Sequence, residues 1–157
     1  MNFYLDMNIY NRIFDNQNQL RVKLETIAID IIFAYIVNNK HKLFWSFILE
    51  DENNDNPFDY RRKNIFSISQ ICTDIIQPQP KILNLAKDLC GKSNIKAKDA
   101  LHIACAVSNK SDYFITCDDK LIRTFNKASK EIDLMKPIKL INPVDFVREE
   151  SNIDVIG

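Results

Sequence analysis

Three aspartates in this sequence lie beside short apolar segments, where a carboxylate has no obvious structural purpose. Asp6 follows the apolar run 3–5, Asp118 follows the apolar run 113–117, and Asp99 lies at the start of an apolar helical stretch. A carboxylate beside buried side chains is costly unless a proton, a hydrogen bond or a cation neutralises it. These acids are therefore candidates for a shared site that binds a cation.

Carboxylates that cluster repel one another, and the residues around them determine what neutralises the cluster. At ~4 Å each pair of like charges costs about 4 kcal/mol at an effective dielectric near 20. With Glu52 as a fourth acid, the set offers oxygen ligands only, which select a hard cation such as Mg²⁺ or Mn²⁺. Such a cation lowers the pKa of a bound water and stabilises charge on a phosphodiester oxygen.

Each of these residues also has a simpler explanation. Asp99 is placed to interact with the helix dipole, and Asp118 is placed to cap the helix that follows it. Glu52 fits a solvated acid in a polar loop, and His102 fits a helix-surface or partly buried residue better than a metal ligand. Asn8 can cap the next helix, hydrogen-bond a site carboxylate, or do both.

The pattern of apolar residues predicts strands that alternate with helices. Strands are expected at 2–6, 43–47, 113–117 and 138–141, and helices at 16–38, 57–76, 80–90, 97–107, 120–127 and 144–150, with a short helix near 7–12. Short apolar strands in this alternation favour a parallel sheet with helices on both faces, an α/β fold. In such sheets the functional crevice lies at the carboxyl ends of the strands, where the strand order reverses. If the strands before Asp6 and Asp118 are neighbours, both carboxylates face one crevice.

Local signals predict how three of the helices begin, end or pack. The core-facing stripe of the helix 16–38 is expected to consist of Leu20, Leu24, Ile27, Ala28, Ile31 and Tyr35. Asn56 and Pro57 are expected to start the helix that runs to Ile76. Gly91 is expected just past the end of the helix that Pro80 starts.

Composition limits the class of protein. The 157 residues suit one domain, expected over 1–150, with a flexible tail at 151–157. The 21 basic and 21 acidic side chains balance, so binding of a polyanion requires a local patch or metal ions. Glycine occurs only at Gly91 and Gly157, which excludes a P-loop and a G-x-G-x-x-G dinucleotide turn.

The cysteines and the apolar stretches predict a cytoplasmic protein without a membrane segment. The four cysteines form no C-x-x-C pair, so they are expected to be reduced thiols rather than disulfides or zinc ligands. The longest apolar stretch, 27–37, is interrupted by Asp30 and is too short to span a bilayer. The first predicted strand follows Met1 directly, so no signal peptide is expected.

Three sequence motifs together resemble the PIN-domain ribonucleases, a group that includes the VapC-type toxins of toxin–antitoxin pairs. The segments involved are Tyr4-Leu5-Asp6-Met7-Asn8, Lys98-Asp99-Ala100-Leu101-His102-Ile103-Ala104 and Phe114-Ile115-Thr116-Cys117-Asp118. They are similar to the family's Asp-x-Asn strand end, its Asp-Ala-Leu-x-x-Ala helix and its hydrophobic-Thr-x-Asp strand end. The resemblance covers about residues 2–147.

The resemblance implies a three-layer α/β/α sandwich that cleaves RNA with a water activated by Mg²⁺ or Mn²⁺. Asp6, Asp99 and Asp118 would hold the metal, and Glu52, six residues after Ser46, would hold a second metal or orient the attacking water. Homodimers and inhibition by an antitoxin are also implied. The sequence departs from the family pattern in two ways. Glu50 is a second candidate for the role assigned to Glu52, and Asp119 places a second aspartate directly after Asp118.

Two other functions are compatible with parts of the sequence. A haloacid-dehalogenase-type phosphatase also places an aspartate after its first strand, but it needs a second one where this chain has Asn8. A non-catalytic PIN-like module that binds RNA or a protein is the other alternative. If RNA is the substrate, Arg12, Arg61 and Arg62 are candidates for contacts to its phosphates, although the two arginines at 61–62 also suit a solvated helix face.

Overall fold

The structure is a computed structural model that describes residues 1–132 and 137–150. The five strands are β1 (Asn2–Leu5), β2 (Lys42–Ser46), β3 (Asp74–Ile76), β4 (Tyr113–Ile115) and β5 (Lys139–Ile141). The eight α-helices in this part of the chain are α1 (Met7–Asn11), α2 (Leu20–Asn38), α3 (Phe47–Asn54), α4 (Asp59–Ser69), α5 (Pro80–Lys92), α6 (Ala97–Ser108), α7 (Asp119–Ala128) and α8 (Pro143–Glu149). A 3₁₀ helix covers Arg12–Phe14. The predicted tail 151–157 lies outside the described residues.

All five strands pair in parallel, in the order β3-β2-β1-β4-β5. The chain runs outward from β1 to β3 and then returns to the other side of β1 with β4 and β5. The strand order therefore reverses between β1 and β4, where Leu5 is paired with Ile115. This confirms the predicted α/β/α architecture with a central parallel sheet, and it makes the two strands that precede Asp6 and Asp118 neighbours.

Apolar strands at the centre of the sheet supply the core. Phe3, Tyr4 and Leu5 of β1 are fully buried, and the ring of Tyr4 stacks on that of Phe114 with centroids 5.3 Å apart. Helix α2 packs against α8, and α5 packs against α6, so helices cover the sheet. Strands that are buried on both faces need apolar side chains at every position, which explains why they do not alternate.

The predicted buried stripe of α2 is only partly correct. Leu20, Leu24 and Ile27 are exposed, whereas Ala28 is buried and Tyr35 is partly buried against the core. The buried residues of the helix are Val22, Glu25, Ala28, Ile29, Ile32 and Ile36. Helix α2 has apolar residues on nearly every side, so its periodicity does not specify one face. The charge of Glu25 on the buried face is compensated by Arg12 at 2.8 Å and by Asn142 at 2.6 Å, both distant in sequence.

The region 57–92 also differs from the prediction. Helix α4 begins at Asp59 and ends at Ser69, not Ile76, because residues 74–76 leave the helix to pair with β2 as an edge strand. Asn56 does not cap the helix but accepts a hydrogen bond from the backbone N–H of Phe58 at 3.1 Å. Gly91 lies inside the last turn of α5 rather than beyond it.

Within the described residues, no helix combines the length and the apolar character needed to cross a membrane.

Candidate metal centre

Asp6 lies at the carboxyl end of β1 with its side chain buried. Its Oδ1 accepts a hydrogen bond from the backbone N–H of Met7 at 2.8 Å and so caps α1. Its Oδ2 accepts from the Thr116 hydroxyl at 2.8 Å and from the Asn8 amide at 3.2 Å. Burial raises the pKa of Asp6, the charge of Glu52 raises it further, and these hydrogen bonds and His102 lower it. Asn8 thus has the second predicted role, a hydrogen bond to a site carboxylate.

Residues 116–118 fasten the end of β4 to the same place. The Thr116 oxygen accepts from the backbone N–H of Asp118 at 3.1 Å, and the Asn8 Oδ1 accepts from that of Cys117 at 3.0 Å. The strand itself ends at Ile115, three residues before Asp118, so the predicted strand was too long. Because Thr116 contacts Asp6 and Asp118 at once, the two acid-bearing strand ends are held in a fixed relation.

Asp118 caps helix α7 and faces solvent. Its Oδ1 accepts from the backbone N–H of Leu121 at 3.0 Å, as the simpler explanation of this residue predicted. The neighbouring Asp119 is held elsewhere, by Arg21 at 2.9 Å. The capping bond occupies one carboxylate oxygen of Asp118, and its charge still reaches Asp99.

Asp99 is half-buried in the first turn of α6 and has no donor for its carboxylate among residues 1–132 and 137–150. Burial raises its pKa, the negative charges of Asp6, Asp118 and Glu52 add to that rise, and His102 opposes it. A half-buried carboxylate that faces other acids and accepts no hydrogen bond is electrostatically unfavourable without a counter-charge.

Glu52 lies in the last turn of α3, not in a polar loop. Its carboxylate contacts Nε2 of His102, which lies 4.0 Å from Oδ1 of Asp6. His102 is fully buried, whereas a helix-surface or partly buried position was expected. Glu50 lies on another side of α3, where it accepts from the indole N–H of Trp45 at 2.7 Å. The structure thus brings Glu52, and not Glu50, toward Asp6.

Asp6, Glu52 and Asp118 each influence the pKa of Asp99, and its leading influences include no lysine or arginine. Carboxylate oxygens are the ligands that a hard divalent cation prefers. As the side chains stand, however, no three His, Cys, Asp or Glu groups in the described part of the chain are arranged to hold a metal ion. Binding would require the carboxylates of Asp99 and Asp118 to turn toward those of Asp6 and Glu52.

Apart from Asn8, sequence reasoning did not identify the residues that position these acids. Tyr4, Ser46 and His102 form a buried polar chain that ends on Glu52, and Thr116 joins Asp6 to Asp118. Thr116 was part of a recognised motif, which was a usable signal. A buried tyrosine in an apolar strand carries no such signal, because its hydroxyl partners come from other elements.

Known structures share this architecture although no family model and no curated protein matches the sequence. One is VapBC2 from Rickettsia felis, solved with a DNA fragment from its promoter, with 16% identity, a TM-score of 0.56, and coverage of 90% of this chain and 98% of that one. Another is FitAcB from Neisseria gonorrhoeae, with 16% identity, a TM-score of 0.56, and coverage of 90% and 97%.

The chain has a PIN-like fold. In this PIN-like sheet, Asp6 and Asp118 follow the two strands that flank the reversal of strand order, and Asp99 and Glu52 reach the same crevice from helices. The structural match, with a TM-score of 0.56 at 16% identity, shows the fold alone, so only the residues of this chain bear on the chemistry of its crevice.

Proposed function

We propose that the chain is a Mg²⁺- or Mn²⁺-dependent endoribonuclease that acts in the cytoplasm as the toxin of a toxin–antitoxin pair. The observation that carries the proposal is the state of Asp99: half-buried, facing three other acids, and without a hydrogen-bond donor among the described residues. Oxygen ligands in such a cluster select a hard divalent cation.

Asp6, Asp99 and Asp118 would hold the cation, and Glu52 would hold a second one or orient the attacking water. When bound, the cation supplies Lewis-acid stabilisation of the phosphodiester and lowers the pKa of water. Thr116, Asn8 and the Met7 N–H occupy both oxygens of Asp6, which fixes its orientation and leaves one lone-pair site, on Oδ1, for a cation.

The same contacts argue against the phosphatase alternative. That reaction needs a second carboxylic acid at position 8, where this chain has an amide. Asn8 donates to Asp6 at 3.2 Å and accepts from Cys117 N–H at 3.0 Å, so it orders the crevice but cannot transfer a proton as an acid would.

Lysines beside the acids are better candidates for contacts to RNA phosphates than the three arginines expected from the sequence. Arg12 is bound to Asp15 and to the buried Glu25, and Arg62 is bound to Asp59. Arg61 donates to the carbonyl of Phe14 and lies over its ring. Lys96, Lys98 and Lys120 are exposed, flank the acids at the starts of α6 and α7, and form no ion pair within the described residues. They would supply the local positive charge that a chain of zero net charge otherwise lacks.

An apolar groove between α2 and the helices α1 and α4 is a candidate binding site for an antitoxin segment or for a second copy of the chain. It has a volume of about 450 Å³ and is lined by Ile9, Tyr10, Ile13, Phe33, Val37 and Ile68 among others. Apolar grooves of this kind accept amphipathic segments. We propose an antitoxin and a homodimer as partners; light scattering of the purified chain, alone and with the protein encoded by the neighbouring reading frame, tests both.

The activity is tested by cleavage of structured and unstructured RNAs in the presence of Mn²⁺ or a chelator. Asp6→Asn and Glu52→Gln should abolish cleavage, whereas the matched control Glu50→Gln should retain it, because Glu50 is bound to Trp45 away from the crevice. Cleavage that survives in the chelator, or in Asp6→Asn, would contradict the proposal. RNA binding without cleavage in the unaltered chain would favour the non-catalytic module.

A further inference from the structure

A buried chain of hydrogen bonds crosses the molecule from the central strand to helix α3. The hydroxyl of Tyr4 lies 2.7 Å from Oγ of Ser46 and 2.7 Å from Nδ1 of His102. Nε2 of His102 contacts Oε1 of Glu52. The side chains of Tyr4, Ser46 and His102 are all buried, so their polar atoms depend on protein groups rather than on water for hydrogen bonds.

The role of each contact follows from the donors and acceptors present. The carboxylate of Glu52 accepts hydrogen bonds, so the hydrogen on Nε2 of His102 is directed at it. On the other side of the ring, Nδ1 is held by the Tyr4 hydroxyl. The Ser46 oxygen lies against the Tyr4 hydroxyl and accepts from the backbone N–H of Leu49 at 3.2 Å. Both ring nitrogens of His102 therefore have fixed partners.

Glu52 needs such a contact because its own helix does not favour its charge. It lies in the last turn of α3, an eight-residue helix, where the exposed carbonyls carry partial negative charge. Its side chain is 19% exposed, and no lysine or arginine in the described ranges pairs with it. The imidazole of His102 is therefore the group that fixes where its carboxylate points.

Both nitrogens of the imidazole are occupied, which excludes His102 as a metal ligand in this arrangement. Nδ1 is bound to Tyr4 and Nε2 to Glu52. The same network binds both ends of α3, since Ser46 caps its first turn and His102 holds Glu52 in its last. The orientation of α3 toward the crevice is thus set from the buried strand β1.

We propose that His102 is a positioning residue that holds the Glu52 carboxylate at the acidic crevice beside Asp6, and that Tyr4 holds the imidazole in place through Nδ1. The inference rests on the proposed function, because the group being positioned serves the divalent cation. Histidine–carboxylate contacts around metal sites orient the ligands, and their loss typically lowers metal affinity by roughly 10- to 100-fold.

Two substitutions of His102 separate positioning from simple packing. His102→Gln places an amide donor near the position of Nε2 and should keep Mn²⁺ affinity, measured by calorimetry, within a few-fold of the parent. His102→Asn is too short to reach Glu52 and should weaken Mn²⁺ binding about 10- to 100-fold and lower kcat more than it raises KM. Equal Mn²⁺ affinity in the parent and His102→Asn, or equal losses in both variants, would overturn the proposal.

A second measurement tests the network in the unaltered chain. Long-range ¹H–¹⁵N correlation spectra should show a hydrogen on Nε2 of His102, and Tyr4→Phe should shift the ring resonances of His102 because it removes the partner of Nδ1. A parent in which Nε2 carries no hydrogen would overturn the proposed contact with Glu52. If the parent shows this hydrogen but neither binds Mn²⁺ nor cleaves RNA, the proposed function fails while the hydrogen-bond network stands.

Discussion

The Thr116 hydroxyl joins the two acid-bearing strand ends: it donates to Oδ2 of Asp6 at 2.8 Å and accepts from the backbone N–H of Asp118 at 3.1 Å. Thr116 is fully buried, so water cannot replace either bond without a local rearrangement. A single side chain directly after β4 thus connects two acids that are distant in the sequence.

Replacing Thr116 by Val keeps the shape of the side chain and removes both bonds. We expect the free energy of unfolding to fall by about 1.5–3 kcal/mol, the range for hydrogen bonds to charged groups, as measured by urea denaturation in a chelator. Thr116→Ser is the matched control and should recover most of the loss, since it restores the hydroxyl. If the Val variant is as stable as the parent, Thr116 does not hold the two strand ends.

Asp99→Asn should stabilise the metal-free protein, because it removes a charge that burial and the neighbouring acids disfavour. For a half-buried group in a partly solvated site the gain should be about 0.5–1 kcal/mol. Added Mg²⁺ should raise the Tm of the parent through mass action and that of the variant much less. Asp119→Asn is the control, because Asp119 is paired with Arg21; its response to Mg²⁺ should match the parent's. Equal shifts in the parent and Asp99→Asn would show that Asp99 is not a ligand.

The pKa values of Asp6 and Asp99 are both raised in the folded state, mainly by burial. Above the unfolded carboxyl value the folded protein therefore binds more protons than the unfolded chain, so stability falls as the pH rises through that window. In a chelator, the stability gained by Asp99→Asn over the parent should grow from about pH 4 toward neutral pH. Denaturation midpoints at several pH values measure this; a constant difference would contradict a raised pKa of Asp99.

The lysines beside the acids should determine how RNA affinity depends on salt. In Ca²⁺, to suppress cleavage, Lys96→Ala and Lys98→Ala should each weaken RNA binding and reduce the slope of log affinity against log salt by about 0.7, the value for one contact to a single strand. Lys23→Ala, an exposed lysine on α2, is the control and should leave the slope unchanged. If all three variants match the parent, the RNA follows another path.

The sequence predicted the central parallel sheet because its strands leave local signals. The strands β1 and β4 are short apolar runs, and each is followed within three residues by one of the acids. Parallel pairing then places Asp6 and Asp118 at one edge without further information. The contact of Asp6 with Thr116 needed only that the two strands be neighbours.

Other elements depended on partners that local sequence does not reveal. Strand β3 has three residues, two of them exposed, so only its pairing with β2 distinguishes it from the end of a helix. The buried face of α2 contains Glu25, which is tolerated because Arg12 and Asn142 reach it from other elements. Glu52 was expected in a loop because its anchor, His102, lies fifty positions away in sequence.

The central claim is that Asp6, Asp99 and Asp118 together hold a divalent cation. The most direct measurement is anomalous diffraction from crystals of the chain soaked in Mn²⁺. We predict an anomalous peak among these three carboxylates, lost in crystals of Asp99→Asn and retained in those of Asp119→Asn. The absence of a peak in this crevice, at Mn²⁺ concentrations that support RNA cleavage, would contradict the claim.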